Sequence, residues 1–411
     1  MSQTSQMTHS GGGPVQPVSD LQRFEGGQTL MKGAGAVGLI GVVATLAGTA
    51  LDARAAMFSY LWAFAYWAGL ALASVVLLLI FHAVNARWMV VLRRAVETMA
   101  VTIVVFAVLF IPIAAGLKHL YGWVDPSPSL PREALAVLEH KRAYLNTPFF
   151  VVRGLFYTLV AAFVAQRLFG MSTRQDQSGD PQLTVRQRRF GTGFLPLVAL
   201  TFSFAAFDWM MSLDPLWFST IFGIYYFGGS FVSAISLLVI VTDRARGRNL
   251  YGELVSEEHI HNLGKLMLAF TCFWGYIGFS QFLLIWIASL PEEVPYYILR
   301  MKGEWAVIGV FLIIGHFVLP FGALLSRSLK RNRRQLAVVA SWILFVHAVD
   351  IYWLVMPAFS PGGLPFHWTM LTAFVGVGGL AVAFALWKIR GHFTLPVRDP
   401  YLADSLAYRQ P

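Results

Sequence analysis

The stretch Phe202–Ser219, FSFAAFDWMMSLDPLWFS, decides how the chain must be read. Backward from it, residues 191–213 form an apolar segment long enough to cross a bilayer. Forward from it, residues 219–241 form another, so Asp214–Trp217 is a short turn between two crossings. One carboxylate, Asp208, lies in the first crossing, seven residues before Pro215. At about 1.5 Å per residue it sits roughly 10 Å below the turn, inside the hydrocarbon. A carboxylate at that depth is costly unless it is paired, hydrogen-bonded or protonated, so it marks a candidate site. The pattern recurs further on: Ala206-Phe207-Asp208, Pro215 and Phe218-Ser219 are matched by Ala348-Val349-Asp350, Pro357 and Phe359-Ser360. The two aspartates are 142 residues apart, and each stands near the end of an apolar span that runs into a proline turn, which reads as an internal repeat.

The rest of the chain has the same character. Of its 411 residues 57% are hydrophobic and 13% charged, too few charges for a soluble protein of this size. Ten apolar runs can be marked: 33–51, 57–81, 96–117, 148–168, 191–213, 219–241, 263–288, 305–326, 335–357 and 367–388. In lipid each must satisfy its own backbone, so each is expected to be a helix, and the fold class is an all-α polytopic membrane protein. Transmembrane barrel strands would be about ten residues long and alternating, which these runs are not.

A second match strengthens the repeat. Phe58-Ser59, Tyr66-Trp67-Ala68-Gly69, Leu77-Leu78 and Ile80 in the second span parallel Phe218-Ser219, Tyr226-Phe227-Gly228-Gly229, Leu237-Leu238 and Ile240 in the sixth, at a constant offset of 160. The expectation is two four-helix bundles in the same orientation, about 57–213 (spans 2–5) and about 219–357 (spans 6–9), flanked by spans 1 and 10. The Gly- and Ala-rich first span suits close packing against another helix. Residues 1–30 read as a flexible polar tail and 391–411 as a C-terminal tail. The loop 118–147 is expected to carry a short amphipathic helix.

Basic residues fix the expected orientation. The N-terminal tail, the loops after even-numbered spans and the C-terminal tail hold 23 of the 31 Lys and Arg, which places both termini in the cytoplasm. The net charge of +10 follows from this distribution and calls for no nucleic acid. Arg186–Arg189 and Arg327–Arg334 read as cytoplasmic anchors. The lone Cys272, in mid-span, offers no disulfide and no thiolate-held metal or iron–sulfur cluster.

Sorted by depth, the polar residues form a series. Glu97 opens span 3, His261 and Lys265 open span 7, His316 lies midway along span 8, and His347, Asp350 and Asp208 lie in the opposite half with Arg153. His347 and Asp350 are three apart, hence on one helical face, where a carboxylate can orient an imidazole. Staggered titratable groups are what a proton path requires, with Tyr276 and Gln281 available to fill gaps. Each group also has a plainer reading. Lys265 and Glu97 can snorkel to the interface, His316 can be a packed neutral histidine, and Arg153 with Asp208 can be a structural ion pair. Haem ligation by His316 and His347 lacks matched His pairs on facing helices. Trp209, Tyr225 and Tyr226 offer flat walls suited to a quinone ring.

Two stretches carry a resemblance: Phe207–Phe231, FDWMMSLDPLWFSTIFGIYYFGGSF, and His261–Arg300, HNLGKLMLAFTCFWGYIGFSQFLLIWIASLPEEVPYYILR. The chain resembles, over residues 33–390, the F-type membrane subunit of alternative complex III, the bacterial quinol:cytochrome c (or quinol:oxidase) oxidoreductase. That subunit belongs to the polysulfide-reductase membrane-subunit (NrfD-like) family. The resemblance implies two four-helix bundles, a bacterial inner-membrane location and no redox cofactor on this chain. It places c-type haems and iron–sulfur clusters in partners: an iron–sulfur protein, multihaem and monohaem cytochromes c and a C-type NrfD-like subunit, with a terminal oxidase as a further partner. Quinol oxidation then belongs to the C-type subunit, and this one is expected to anchor the complex and to offer a proton path, without an oxidation pocket of its own. The alternatives are direct binding of quinol or quinone near Asp208 or His347, a stand-alone secondary transporter, and a scaffold. The repeat here is parallel, whereas transporter repeats are often inverted and built on broken helices.

Overall fold

The computed structural model describes residues 21–246 and 250–409. The N-terminal tail expected over 1–30 falls largely on residues 1–20, outside the described residues. Among the described residues, ten helices are long and apolar enough to cross a membrane: α1 Gln28–Ala50, α2 Ala53–Ala83, α3 Arg87–Ala115, α4 Thr147–Ser178, α5 Gln182–Leu213, α6 Phe222–Arg244, α7 Glu257–Ala288, α8 Gly303–Leu325, α9 Arg333–Ala358 and α10 Trp368–Ile389. The chain is therefore an all-α, polytopic membrane protein. The main departures from the apolar runs are polar extensions: α3 starts nine residues before its expected start at 96, and α4 runs ten past its expected end at 168. Apolar windows miss such turns because their charges satisfy one another off the helix, as described below.

The helices pack in two closed circuits. In the first, α2 meets α3, α3 meets α4, α4 meets α5, and α5 returns to α2; in the second, α6, α7, α8 and α9 follow the same cyclic order. The circuits join where α6 packs on α2 and α5, and α2 also meets α9 and α10. Helix α2 is apolar on every face, which demands burial all round. It is buried along 83% of its apolar stretch, against 22% for α1.

Helix α1 docks on α10 through glycine. A Cβ on Gly41 would lie 2.6 Å from the Thr372 carbonyl oxygen and 2.7 Å from the Gly376 Cα, so the two backbones run in direct contact. A Thr45–Thr372 hydroxyl bond of 2.8 Å joins the same pair of helices. The residues just before α1 and just after α10 meet on one face, where the Phe24 N–H donates to the His392 carbonyl (2.8 Å) and the Gly391 N–H to the Phe24 carbonyl (2.9 Å).

Outside the spans, a helix at Arg132–Lys141 occupies the long loop where one is expected. Its Lys141 Nζ donates to the Pro215 carbonyl (2.7 Å), and burial pushes the ammonium's pKa down. A second helix, Val294–Arg300, has no counterpart in the expected elements. It carries the buried Arg300, whose guanidinium donates to the carbonyls of Tyr296, Trp353 and Leu354.

Candidate functional site

The two motif aspartates have different surroundings. Asp208, one residue before the main helical run of α5 stops, is fully buried. It accepts from Arg153 Nε (2.8 Å) and Nη2 (2.9 Å) in a two-pronged bridge, and from the Tyr157 hydroxyl (2.8 Å). Tyr144 and Phe149 hold the other side of the guanidinium, their ring centroids 3.7 and 4.2 Å from it. Both carboxylate oxygens therefore have strong donors, the geometry of a buried pair that fastens α4 to α5.

Asp350 lies within α9, five residues before the main helical run ends at Val355, and faces the interior of the second circuit at 1% exposure. Its donors are neutral: the Tyr225 hydroxyl (2.6 Å) and the Trp274 indole N–H (3.2 Å). Two imidazoles lie beside it, His347 Nδ1 at 3.5 Å and His316 Nδ1 at 3.9 Å. Both are buried, and neither nitrogen of His316 has a hydrogen-bond partner, nor has His347 Nδ1. His347 Nε2 lies 3.4 Å from the Ser230 hydroxyl. Helices α6, α7, α8 and α9 thus each contribute to one cluster of a carboxyl and two imidazoles, with no Arg or Lys paired to it among the described residues.

Local backbone features aim this cluster. Gly229 of α6 leaves room for His347, since a Cβ there would lie 2.8 Å from its Cε1 and 3.3 Å from Asp350 Oδ2. His316 sits in a π-helical turn, Ile313–Val318, within α8. In the π register the Gly315 carbonyl would take the N–H of residue 320, but Pro320 has none, and that carbonyl accepts the Trp342 indole N–H at 2.7 Å.

The other expected path residues fall in two further places. Glu97 is fully buried in the first circuit between Arg93 and Arg94, at 3.2 Å from each. Arg93 also bridges to Asp399 (2.7 Å), which ties the C-terminal segment to α3, and Arg94 bridges to Asp176 (2.6 Å), which ties α4 to α3. His261 is buried and Lys265 exposed on the first turns of α7, in the second circuit. The series Glu97, His261, Lys265 therefore does not form one local group with the Asp350 cluster. Tyr276 lies at the surface, 66% exposed, and Gln281 lines a cavity outside the cluster.

The three expected quinone-lining aromatics are separated as well. Trp209 is buried against Phe64 of α2 (ring centroids 5.0 Å apart), and Tyr226 points at α2, its hydroxyl donating to the Ala65 carbonyl. Tyr225 lines a cavity between α7 and α8. Sequence reasoning missed Tyr157, Trp274, Asp176, Asp399 and the burial of Arg93 and Arg94. The spacing of Arg93, Arg94 and Glu97 at three and four residues was the available signal for the last group.

No protein-family model matches the chain, and no curated protein sequence matches it either. Among the described residues, no group of three His, Cys, Asp or Glu is arranged to hold a metal ion.

Proposed function

We propose that the chain is a membrane subunit of a respiratory quinol-oxidising complex of the alternative complex III type, and that Asp350, His347 and His316 are its proton-exchange station. The observation that carries the station is the burial of one carboxyl with two imidazoles whose free nitrogens face no cationic partner. Such a set can take up and release a proton with small movements of side chains. The Glu97 cluster and the first turns of α7 lie toward the face that holds Phe24 and His392, and supply two separate approaches from it. Asp208 serves to hold α4 on α5.

The two circuits, in this reading, are parallel repeats, since their cyclic packing order is the same and each motif aspartate lies on the fourth helix of its circuit. The excess of basic residues on the face that holds Phe24 and His392 supports placing that face in the cytoplasm of a bacterial cell. Membership of the complex is supported by the resemblance of Phe207–Phe231 and His261–Arg300 to the F-type subunit. Haems and iron–sulfur clusters, on this reading, are carried by the partner subunits.

The test uses the assembled complex in proteoliposomes. Asp350→Asn keeps size and removes titration, so quinol oxidation is expected to persist while coupled proton movement is lost. Unchanged proton stoichiometry in a fully assembled variant would refute the station. A chain that purifies in mild detergent alone, with no haem absorbance, would refute membership of the complex.

A further inference from the structure

A small cleft lies where the turn between α2 and α3 meets the start of α5, on the face that holds Phe24 and His392. About 30 Å³ of it is open to water-sized atoms, where a single water needs roughly 10–15 Å³. That admits one compact group, such as a tetrahedral oxyanion, and no organic ring. His82, Arg87, Arg93, Thr184, Arg188 and Tyr401 line it, so it faces three guanidiniums and no carboxylate. Asp404 and Asp399, which pair with Arg87 and Arg93, are not part of the lining.

Three groups on this lining have no partner. His82 Nε2 and Arg93 Nη2, on residues 7% and 5% exposed, make no hydrogen bond. Arg188 is exposed and has no ion pair among the described residues. A guanidinium nitrogen can only donate and an imidazole nitrogen can donate, so what is missing is an acceptor. The second circuit has a cleft at the corresponding place, between the α6–α7 connection and the start of α9, and it is furnished differently. Glu253 and Glu257 share its lining with four arginines. Three of these are answered from within the chain: Arg331 bridges to Glu258, Arg333 donates to the Gly252 and Val255 carbonyls (2.8 and 2.6 Å), and Arg246 to Asp243 (2.9 Å).

We infer that the cleft of the first circuit binds the phosphate group of a membrane phospholipid, its oxygens accepting from Arg188, His82 and Arg93. Planar guanidiniums suit phosphate oxygens, and basic pockets between membrane helices at the interface are where anionic headgroups bind. The lipid source follows from α5. Thr192, Pro196 and Ala199, four, eight and eleven residues beyond Arg188 and so on the same side of the helix, are all exposed. Acyl chains can run along that side while the phosphate sits in the cleft. Tyr401 comes from the segment after α10, so a bound phosphate would join that segment to α2, α3 and α5. The site is independent of the proton station and of membership of the complex.

The test is native mass spectrometry of the purified, delipidated protein, titrated in detergent with dioleoyl phosphatidylglycerol. Saturable retention of one lipid is expected. Dioleoylglycerol has the same chains without the phosphate, sodium phosphate has the phosphate without chains, and neither should be retained. Arg188→Gln should lower the apparent affinity about tenfold, the value of one hydrogen bond to a charged group. Arg189→Gln takes the same charge from the neighbouring exposed position, off the lining, and Arg334→Gln takes it from the second cleft; both should bind as the parent does. His82→Phe keeps a ring, removes the donor and should weaken retention severalfold, and Arg188→Gln carries the test if that variant fails to accumulate. Equal losses in Arg188→Gln and Arg189→Gln would mean diffuse surface charge, and retention of dioleoylglycerol a plain chain contact. A phosphate adduct lost in Arg188→Gln would mean a site filled from solution. Each of these, or no retained phosphatidylglycerol, overturns the inference.

Discussion

Gly229 sets the room available to the candidate site without carrying any chemistry. In Gly229→Ala the new methyl carbon would lie 2.8 Å from His347 Cε1, so the imidazole must move off Asp350. Overpacking of this kind is worth about 1–3 kcal/mol. The variant is expected to melt lower in detergent and to lose proton coupling while every titratable group is still present. At Asp208 the expectation is opposite in kind. Arg153→Met leaves a buried carboxylate without its two-pronged partner, a loss of about 3–5 kcal/mol. The double variant with Asp208→Leu should recover most of it, and thermal unfolding of the four combinations measures the coupling. Both aspartates are legible in sequence as intramembrane acids, and Arg153 is legible as a candidate partner. His347 beside Asp350 is legible too, from their spacing of three. What sequence does not contain is the second layer: Tyr157, Trp274 and His316 reach these acids from other helices, and their approach depends on how each helix is turned.

At the scale of elements, α8 departs most from a regular pattern. A uniform 3.6-residue period places His316 at a depth but fixes its direction wrongly, because the π-helical turn at Ile313–Val318 rotates the helix about its axis. The Trp342 indole that satisfies the Gly315 carbonyl should then matter more than its position suggests. Trp342→Phe keeps the ring and strands that carbonyl, for an expected loss of about 1–3 kcal/mol, read as a lower melting temperature. The start of α3 was hidden for another reason: Arg87–Ala95 is too polar for an apolar window, yet Arg93 and Arg94 are buried because carboxylates from α3, α4 and the C-terminal segment surround them. His392, just past α10, packs edge-on against Phe169 at 5.3 Å between centroids. Burial first, then the charges of Arg94, Lys388 and Arg23, depress its pKa below the ordinary 6.5. The unfolded chain binds this proton more readily. The histidine's contribution is therefore intact above about pH 6.5 and is lost as pH falls toward the lower folded value. Between pH 7.5 and 5 the melting temperature should fall less steeply in His392→Gln than in the parent.

For the whole molecule, the ten spans were legible because apolar length reports directly on burial in lipid. The closed circuits were suggested only by the repeat, since packing order is not a property of any one segment. The glycine contact of α1 and α10 offers a test at this scale. Gly41→Leu puts a side chain where the Thr372 carbonyl and Gly376 Cα now stand, so α1 should leave α10 while the two circuits remain. Protease cleavage between α1 and α2 is expected to become fast, with the chain from residue 53 onward surviving as one fragment. That same contact also imposes an order of events on biosynthesis. The main docking partner of α1 is α10, so a nascent chain must hold α1 in lipid, glycine face unprotected, through the insertion of eight intervening helices. The Phe24–His392 clasp can close only once α10 has left the ribosome, and a chain truncated before α10 should be recognised by quality-control proteases through that waiting helix.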